Sequence, residues 1–193
     1  MTTYFTIPPH LSFFNIPRAE FAASRPEFAD FVTNAYIFST SPTSATPCKP
    51  RVLLIQRSLS DSYPGCWEGP GGLCETTDET LLAGVAREVL EETGLHVSRF
   101  VDLVSVEGWV KVRPEGVRRA VQYSFIVEVH ESQASGWEDA VRLDPAEHED
   151  FVWVTQEEVR DGMQQGKFMF IDREEGNLFA AMEIFERLSV KHG

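Results

Sequence analysis

Glu88, Glu91 and Glu92 crowd the stretch AREVLEETGL (residues 86–95), and Arg87 is the only base between Cys74 and Leu95. On a helix Glu88 and Glu92 are four residues apart and Glu91 is three from Glu88, so the three carboxylates share one side. Like charges so placed cost a few tenths of a kcal/mol per pair, roughly, unless water or a cation offsets the repulsion. Arg87 stands four residues before Glu91 and can pair with it. A solvated acidic face ordinarily intersperses lysines among its acids, whereas here Glu75, Asp78, Glu79, Glu88, Glu91 and Glu92 face a single arginine. Clustered oxygen donors without their own counter-cation are what Mg²⁺ or Mn²⁺ neutralises. A merely soluble acidic surface is the competing reading, and Glu75 and Asp78 fit a cap or a solvent role better than a ligand role.

These side chains need a helix and a loop to position them. Leu81, Leu82, Val85, Val89 and Leu90 recur at helical spacing, which predicts a helix over 77–93. Thr76-x-x-Glu79 reads as a capping box at its start and Gly94 as its stop. Just upstream, DSYPGCWEGPGG (61–72) is irregular, and Gly71-Gly72 forms a tight backbone element that can lie close to a ligand. FVTNAYIFST (31–40) and RVLLIQRS (51–58) read as strands joined by the turn-rich SPTSATPCKP (41–50), hence as an antiparallel pair. Strand-like runs follow at 96–110 and 118–129, with the turn KVRPEG between them, and again at 151–155 before a short helix at 156–161. A tail helix over about 174–191 carries Leu178, Met182, Phe185 and Leu188 on one face. Strands mixed with a few helices, without regular βα alternation, indicate an α+β domain over 31–193. Residues 1–30, rich in Pro, Phe and Ser, form an extension laid over it.

The chain has 193 residues and a net charge of −13, with 42% hydrophobic and 24% charged residues, a soluble globular composition. That charge disfavours a nucleic-acid partner, which calls for a basic stripe. Cys48, Cys66 and Cys74 are odd in number and form no C-x-x-C, so neither a disulfide framework nor a zinc ribbon is indicated. The N-terminus does not read as a secretory signal, and no run reaches membrane-spanning length. A reducing intracellular setting, the cytoplasm by default, is the expectation.

With glycine loop and acidic helix in sequence, the chain resembles the Nudix hydrolases, whose signature is G-x5-E-x7-R-E-U-x-E-E-x-G-U with U a bulky aliphatic residue. Glu79, Arg87, Glu88, Val89, Glu91, Glu92, Gly94 and Leu95 fall in register. Gly72 stands one residue early and Leu73 occupies its slot, so the loop before Glu79 has one extra residue. CWEGPGG and EHEDFVWVTQEEV resemble further family segments, and the likeness covers about residues 31 to 160. It implies a Nudix-type α/β/α sandwich, a mixed β-sheet with the acidic helix packed against it. It also implies a divalent-metal-dependent hydrolase acting on a phosphoanhydride in a nucleoside diphosphate linked to another moiety.

The resemblance assigns Glu88, Glu91 and Glu92 as ligands of Mg²⁺ or Mn²⁺, completed by a main-chain carbonyl of Gly71 or Gly72. Glu88 or a carboxylate outside the motif would help to deprotonate water, and Arg87 and Glu79 would pair. Glu147 and Glu149 are the candidates for a further carboxylate ligand, Glu149 being the one adopted, with Glu107 and Glu128 behind them. His148 is expected to make local hydrogen bonds. Arg57, Trp67, Gly71 and Gly72 are the expected substrate contacts; Trp67 and Phe125 could stack on a base, although aromatic residues in such apolar settings are more often core. Two rival readings share the fold: an isopentenyl-diphosphate-type isomerase using Cys66 or Cys74, and a catalytically silent module that binds a nucleotide or a protein.

Overall fold

A computed structural model of the chain describes residues 5–40, 49–60, 62–113 and 116–190. Most of the 41–50 loop, with Cys48, and Pro114 and Glu115 of the KVRPEG turn lie outside the described residues.

Alternation along the strands builds the sandwich. In β1 (Asp30–Ser39), Ala35 and Ile37 enter one apolar cluster while Tyr36 enters another. In β2 (Arg51–Arg57), Leu53 and Ile55 divide from Val52 and Leu54 in the same way. Successive side chains of a strand point to opposite faces, so a sheet buried on both sides needs apolar residues at both parities. One face is covered by the acidic helix and by the N-terminal segment, from which Leu11 and Phe21 are each 1% exposed. That segment contains a 3₁₀ turn at Pro9–Asn15 and a short helix, α1 (Arg18–Ala23). The acidic helix is α2 (Leu81–Thr93). The other face is covered by α3 (Gln156–Gln164) and α4 (Glu174–Val190) through Val159, Leu178 and Met182, and Phe185 stacks on Phe38 at 4.2 Å. The result is an α/β/α sandwich around a mixed sheet.

The sheet order is β3-β2-β1-β5-β4, with β6 (His148–Val154) on β2. β1 runs parallel to β5 (Gly116–Val129), and β5 runs antiparallel to β4 (Val97–Arg113). The antiparallel pairing expected between β1 and β2 is present but short, Phe38↔Val52 and Ser39↔Arg51. Beyond it β2 pairs with β3 (Trp67–Glu68), and the glycine loop takes over the free edge of β1. Ala35 N–H donates to the Pro70 carbonyl and Thr33 N–H to the Gly72 carbonyl, each at 2.8 Å, and Cys74 N–H donates to Phe31 O. The loop is therefore stitched to a buried strand.

α2 starts later than its sequence pattern suggests. Thr80 is the N-cap, its hydroxyl accepting from Ala83 N at 3.0 Å, and Gly94 ends the helix with φ 70°. Thr76-x-x-Glu79 is not a capping box here; Asp78 instead accepts from Glu75 N at 2.7 Å and closes a turn before the helix. No helix is long and apolar enough to cross a membrane among the described residues.

Candidate functional site

The core face of α2 turns Glu88 and Glu92 inward beside the glycine loop, leaving them 9% and 4% exposed. Glu92 accepts the Gly71 N–H at 2.7 Å. Glu88 lies so close over Gly72 that a Cβ there would stand 2.7 Å from its carboxylate, and a Cβ on Gly71 would stand 2.2 Å from Thr33 O. Only glycine fits at 71, against the β1 backbone, while a side chain at 72 would displace the Glu88 carboxylate. The Gly72 carbonyl, one of the expected metal ligands, is turned to β1, where Thr33 N–H and its hydroxyl donate to it. The Gly71 N–H points to the α2 side, at Glu92.

Burial acts directly on these acids. Desolvation pushes the Glu88 carboxyl up to about 7 against the opposing charge of Arg87. It pushes Glu92 well above the ordinary carboxylate range, with the Gly71 N–H pulling the other way. Buried charge of one sign persists only when paired or coordinated.

Arg87 organises the outer side of the helix. Its Nε and Nη2 reach the two Asp78 oxygens at 2.9 and 3.0 Å, Nη1 reaches Glu91 at 2.8 Å and Glu88 at 3.0 Å, and Nη2 also donates to the Leu73 carbonyl at 3.0 Å. The arginine thus pairs with Asp78, not with the expected Glu79. Glu79 is exposed, and its carbonyl accepts from Arg18 N at 2.9 Å. The extra residue of the loop therefore falls after the acid that pairs with Arg87. Glu91 is exposed and bound to Arg87, outside the buried pair.

From the opposite wall, the segment entering β6 brings Glu147 and His148. Donor atoms of Glu92, Glu147 and His148 lie within 4.8 Å of one another. Glu149 points to solvent, because its neighbour His148 is the inward residue of the strand. His148 is 2% exposed; its Nε2 is 3.5 Å from Glu68 and 3.9 Å from Glu92, and its Nδ1 has no hydrogen-bond partner among the described residues. The expectation of a locally bonded histidine missed this placement, which its position between two acids at the start of a strand did hint at. Glu128 pairs with Arg99 at the surface.

Two cavities meet at the glycine loop. The smaller, about 520 Å³, is lined by Glu88, Glu92, Glu147, His148, Ser60 and Arg57 among others. The larger, about 1310 Å³, lies across Gly71, Gly72 and Leu73 and is walled by Glu107, Trp109, Lys111, Gln122, Glu174 and Asn177. Arg57 touches both. Its Nη1 donates to Glu68 at 2.6 Å and its Nε to the Ser62 carbonyl at 2.6 Å, which fixes the guanidinium where the cavities join.

Trp67 and Phe125 line neither cavity. Trp67 is 3% exposed and packs edge-on against Phe168; Phe125 is fully buried among Phe14 and Phe100. The aromatic residues at the larger cavity are Trp109 and Tyr63, neither of them expected from sequence. Glu174, also unforeseen, accepts from the Tyr36 hydroxyl at 2.7 Å and Asn34 Nδ2 at 3.0 Å, and burial raises its carboxyl to about 7. Cys66 and Cys74 are free thiols that line neither cavity, and burial pushes Cys74 up to about 11.

The donor chemistry fits a hard divalent cation: the buried carboxylate of Glu92, that of Glu88, which also pairs with Arg87, a third carboxylate, and an imidazole with an unpartnered nitrogen. Comparison with known proteins gives the family and the fold. The NUDIX domain family model matches residues 42–173. A MutT-like protein of Streptomyces ambofaciens is 34% identical over 115 residues, 60% of this chain and 62% of the relative, so the match spans about three-fifths of that relative's length. Among solved structures, the NUDIX domain of Shewanella oneidensis NrtR complexed with ADP ribose is similar over 86% of this chain and 97% of that one, at 21% identity and TM-score 0.57. A MutT protein from Methanosarcina mazei is similar over 83% and 94%, at 24% identity and TM-score 0.52.

Proposed function

Because the chain belongs to the Nudix family, we propose that it is a divalent-metal-dependent hydrolase that cleaves a phosphoanhydride bond in a nucleoside diphosphate linked to a second group. The observation that carries this reading is the buried carboxylate pair, Glu88 and Glu92, set against Gly71–Gly72 and faced by Glu147 and His148. Glu88, Glu92 and Glu147 would hold Mg²⁺ or Mn²⁺, with His148 adjoining. Bound there, the ion supplies charge neutralisation on non-bridging phosphate oxygens and a more acidic water.

The chain's own groups do the remainder. Glu88, buried beside the glycine loop and lining the smaller cavity, would take a proton from the attacking water. Arg87 holds Asp78 and Glu91 and keeps the loop carbonyl of Leu73 against the helix, which orients Glu88. Arg57, held by Glu68 and Ser62 at the join of the cavities, offers its planar fork to a phosphate oxygen. The diphosphate would lie across the glycine loop, with the rest of the substrate in the larger cavity beside Trp109. The net charge of −13 is the ground for leaving nucleic acid out of this reading. The isomerase alternative loses its support, since neither described thiol reaches a cavity.

The test is release of phosphate or nucleoside monophosphate from a panel of nucleoside-diphosphate-linked compounds, with Mg²⁺ or Mn²⁺ and with chelator. Metal-dependent cleavage of at least one compound is expected, abolished by EDTA and by Glu92→Gln. Turnover that persists in excess EDTA would overturn the metal reading. Binding without cleavage across the panel would favour the silent module.

A further inference from the structure

β4 is the last strand of the sheet, and its outer side is covered only near its start, where Thr6 bridges Arg99. From Ser105 to Arg113 it pairs regularly with β5 on its inner side, and among the described residues nothing pairs with its outer side. β1 begins at Asp30, opposite Ala120, so the β4–β5 ribbon beyond that point also stands past the rest of the sheet. It is apolar as well: Val106, Val110, Val112 and Val117 are 52%, 55%, 78% and 67% exposed. A long, open, valine-rich edge is a template for pairing with another strand, and proteins usually blunt such edges.

The residues along this edge are complementary to themselves. About Trp109 as centre, Glu107 and Lys111 stand at mirrored positions, as do Val106 and Val112, in VEGWVKV (106–112). A lone edge lysine would repel its own copy. Here an antiparallel copy in this register sets each Lys111 opposite a Glu107, Val112 opposite Val106 and Trp109 opposite Trp109. A two-fold axis produces this kind of isologous contact, in which residue i meets j and j meets i.

We propose that the outer edge of β4 docks a second copy of this chain, antiparallel and centred on Trp109, joining the two sheets across a two-fold axis. The partner of choice is the chain itself, because this register sets opposite charges and valines against each other along 106–112. Glu107, Trp109 and Lys111 also wall the larger cavity. The second copy therefore brings its own Lys111 and Trp109 to the mouth of that cavity, and each site is walled by both chains.

Light scattering coupled to size exclusion, over a concentration series, should give twice the chain mass for the native protein. Lys111→Glu, which sets Glu against Glu107, and Glu107→Lys should each shift it to monomer with an unchanged circular dichroism spectrum. The double reversal Glu107→Lys/Lys111→Glu should recover the dimer. Trp109→Cys should cross-link between chains on mild oxidation, since facing residues of paired strands lie within disulfide reach, and Val112→Cys should not. A monomeric native protein, single variants that remain dimeric, or a double reversal that stays monomeric would each overturn the proposal.

Discussion

The two cavities share Arg57 and the glycine loop and differ in almost everything else. The smaller is walled by acids from one helix and one strand entrance, and its chemistry follows from burying Glu88 and Glu92 in a place where water cannot solvate them. The larger is wider and mixed, with two aromatics, a lysine, amides and carboxylates drawn chiefly from β1, β4, β5 and the start of α4. Its only strongly perturbed acid, Glu174, is already satisfied by Tyr36 and Asn34. One cavity is built to hold charge and the other to hold shape. Substitutions on the two sides should therefore fail differently.

The largest effect should come from the smaller cavity. Glu92→Gln and Glu88→Gln should each lower kcat roughly 10²–10⁴-fold, the range for losing a group that acts on charge developing in the transition state. Both should raise Tm in metal-free buffer at neutral pH, because they remove a carboxyl whose ionisation burial opposes. Steady-state rates with Mg²⁺ beside melts in EDTA would check this, and a variant that unfolds would mark the acid as scaffold. Leu82→Ala, on the core face of the same helix and fully buried, should show the opposite pattern, costing about 2–5 kcal/mol in denaturant melts with near-normal kcat in the folded fraction.

On the other side, Trp109→Ala should raise KM about tenfold with kcat within about twofold, as expected when a stacking contact made equally in ground and transition states is removed. A kcat loss comparable to that of Glu92→Gln would erase the distinction between the cavities.

The smallest effect is a pH dependence. The folded-state carboxyl of Glu174 sits near 7, above its unfolded value. Its contribution is fully present below about pH 4.5 and is lost as pH rises through 7. Glu174→Gln should therefore be less stable than the parent at pH 5 and draw level or overtake it by pH 8, a relative change of about 1–2 kcal/mol after allowing for partial exposure. Urea melts at the two pH values would show it, and parallel curves would refute the assignment.

Much of the smaller cavity was readable from one local stretch, since period 3.6 alone places Glu88 and Glu92 together and apolar residues on the core side. Tertiary contacts corrected its details. Asp78 rather than Glu79 meets Arg87, because the turn closed by Asp78 on Glu75 N carries it under the guanidinium. His148 rather than Glu149 faces Glu92, because strand parity at the entrance of β6 turns 148 inward, and Glu147 comes to the same place from the turn before the strand. The larger cavity was hidden because its walls come together only when β1 runs parallel to β5 and α4 docks behind them.

By itself, then, the sequence determined the helix, its stop at Gly94, the placing of Glu88 and Glu92 on one side of it, the glycine pair before it and the apolar alternation of the strands, all set by interactions within a few residues. The tertiary structure alone decided which acid the arginine holds, that β1 takes up the Gly72 carbonyl, which aromatics are core and which are wall. Those outcomes depend on distances between segments remote in the chain, and on the burial that pushes Glu88 and Glu92 above the ordinary carboxylate range. Neither quantity exists until the sheet has closed.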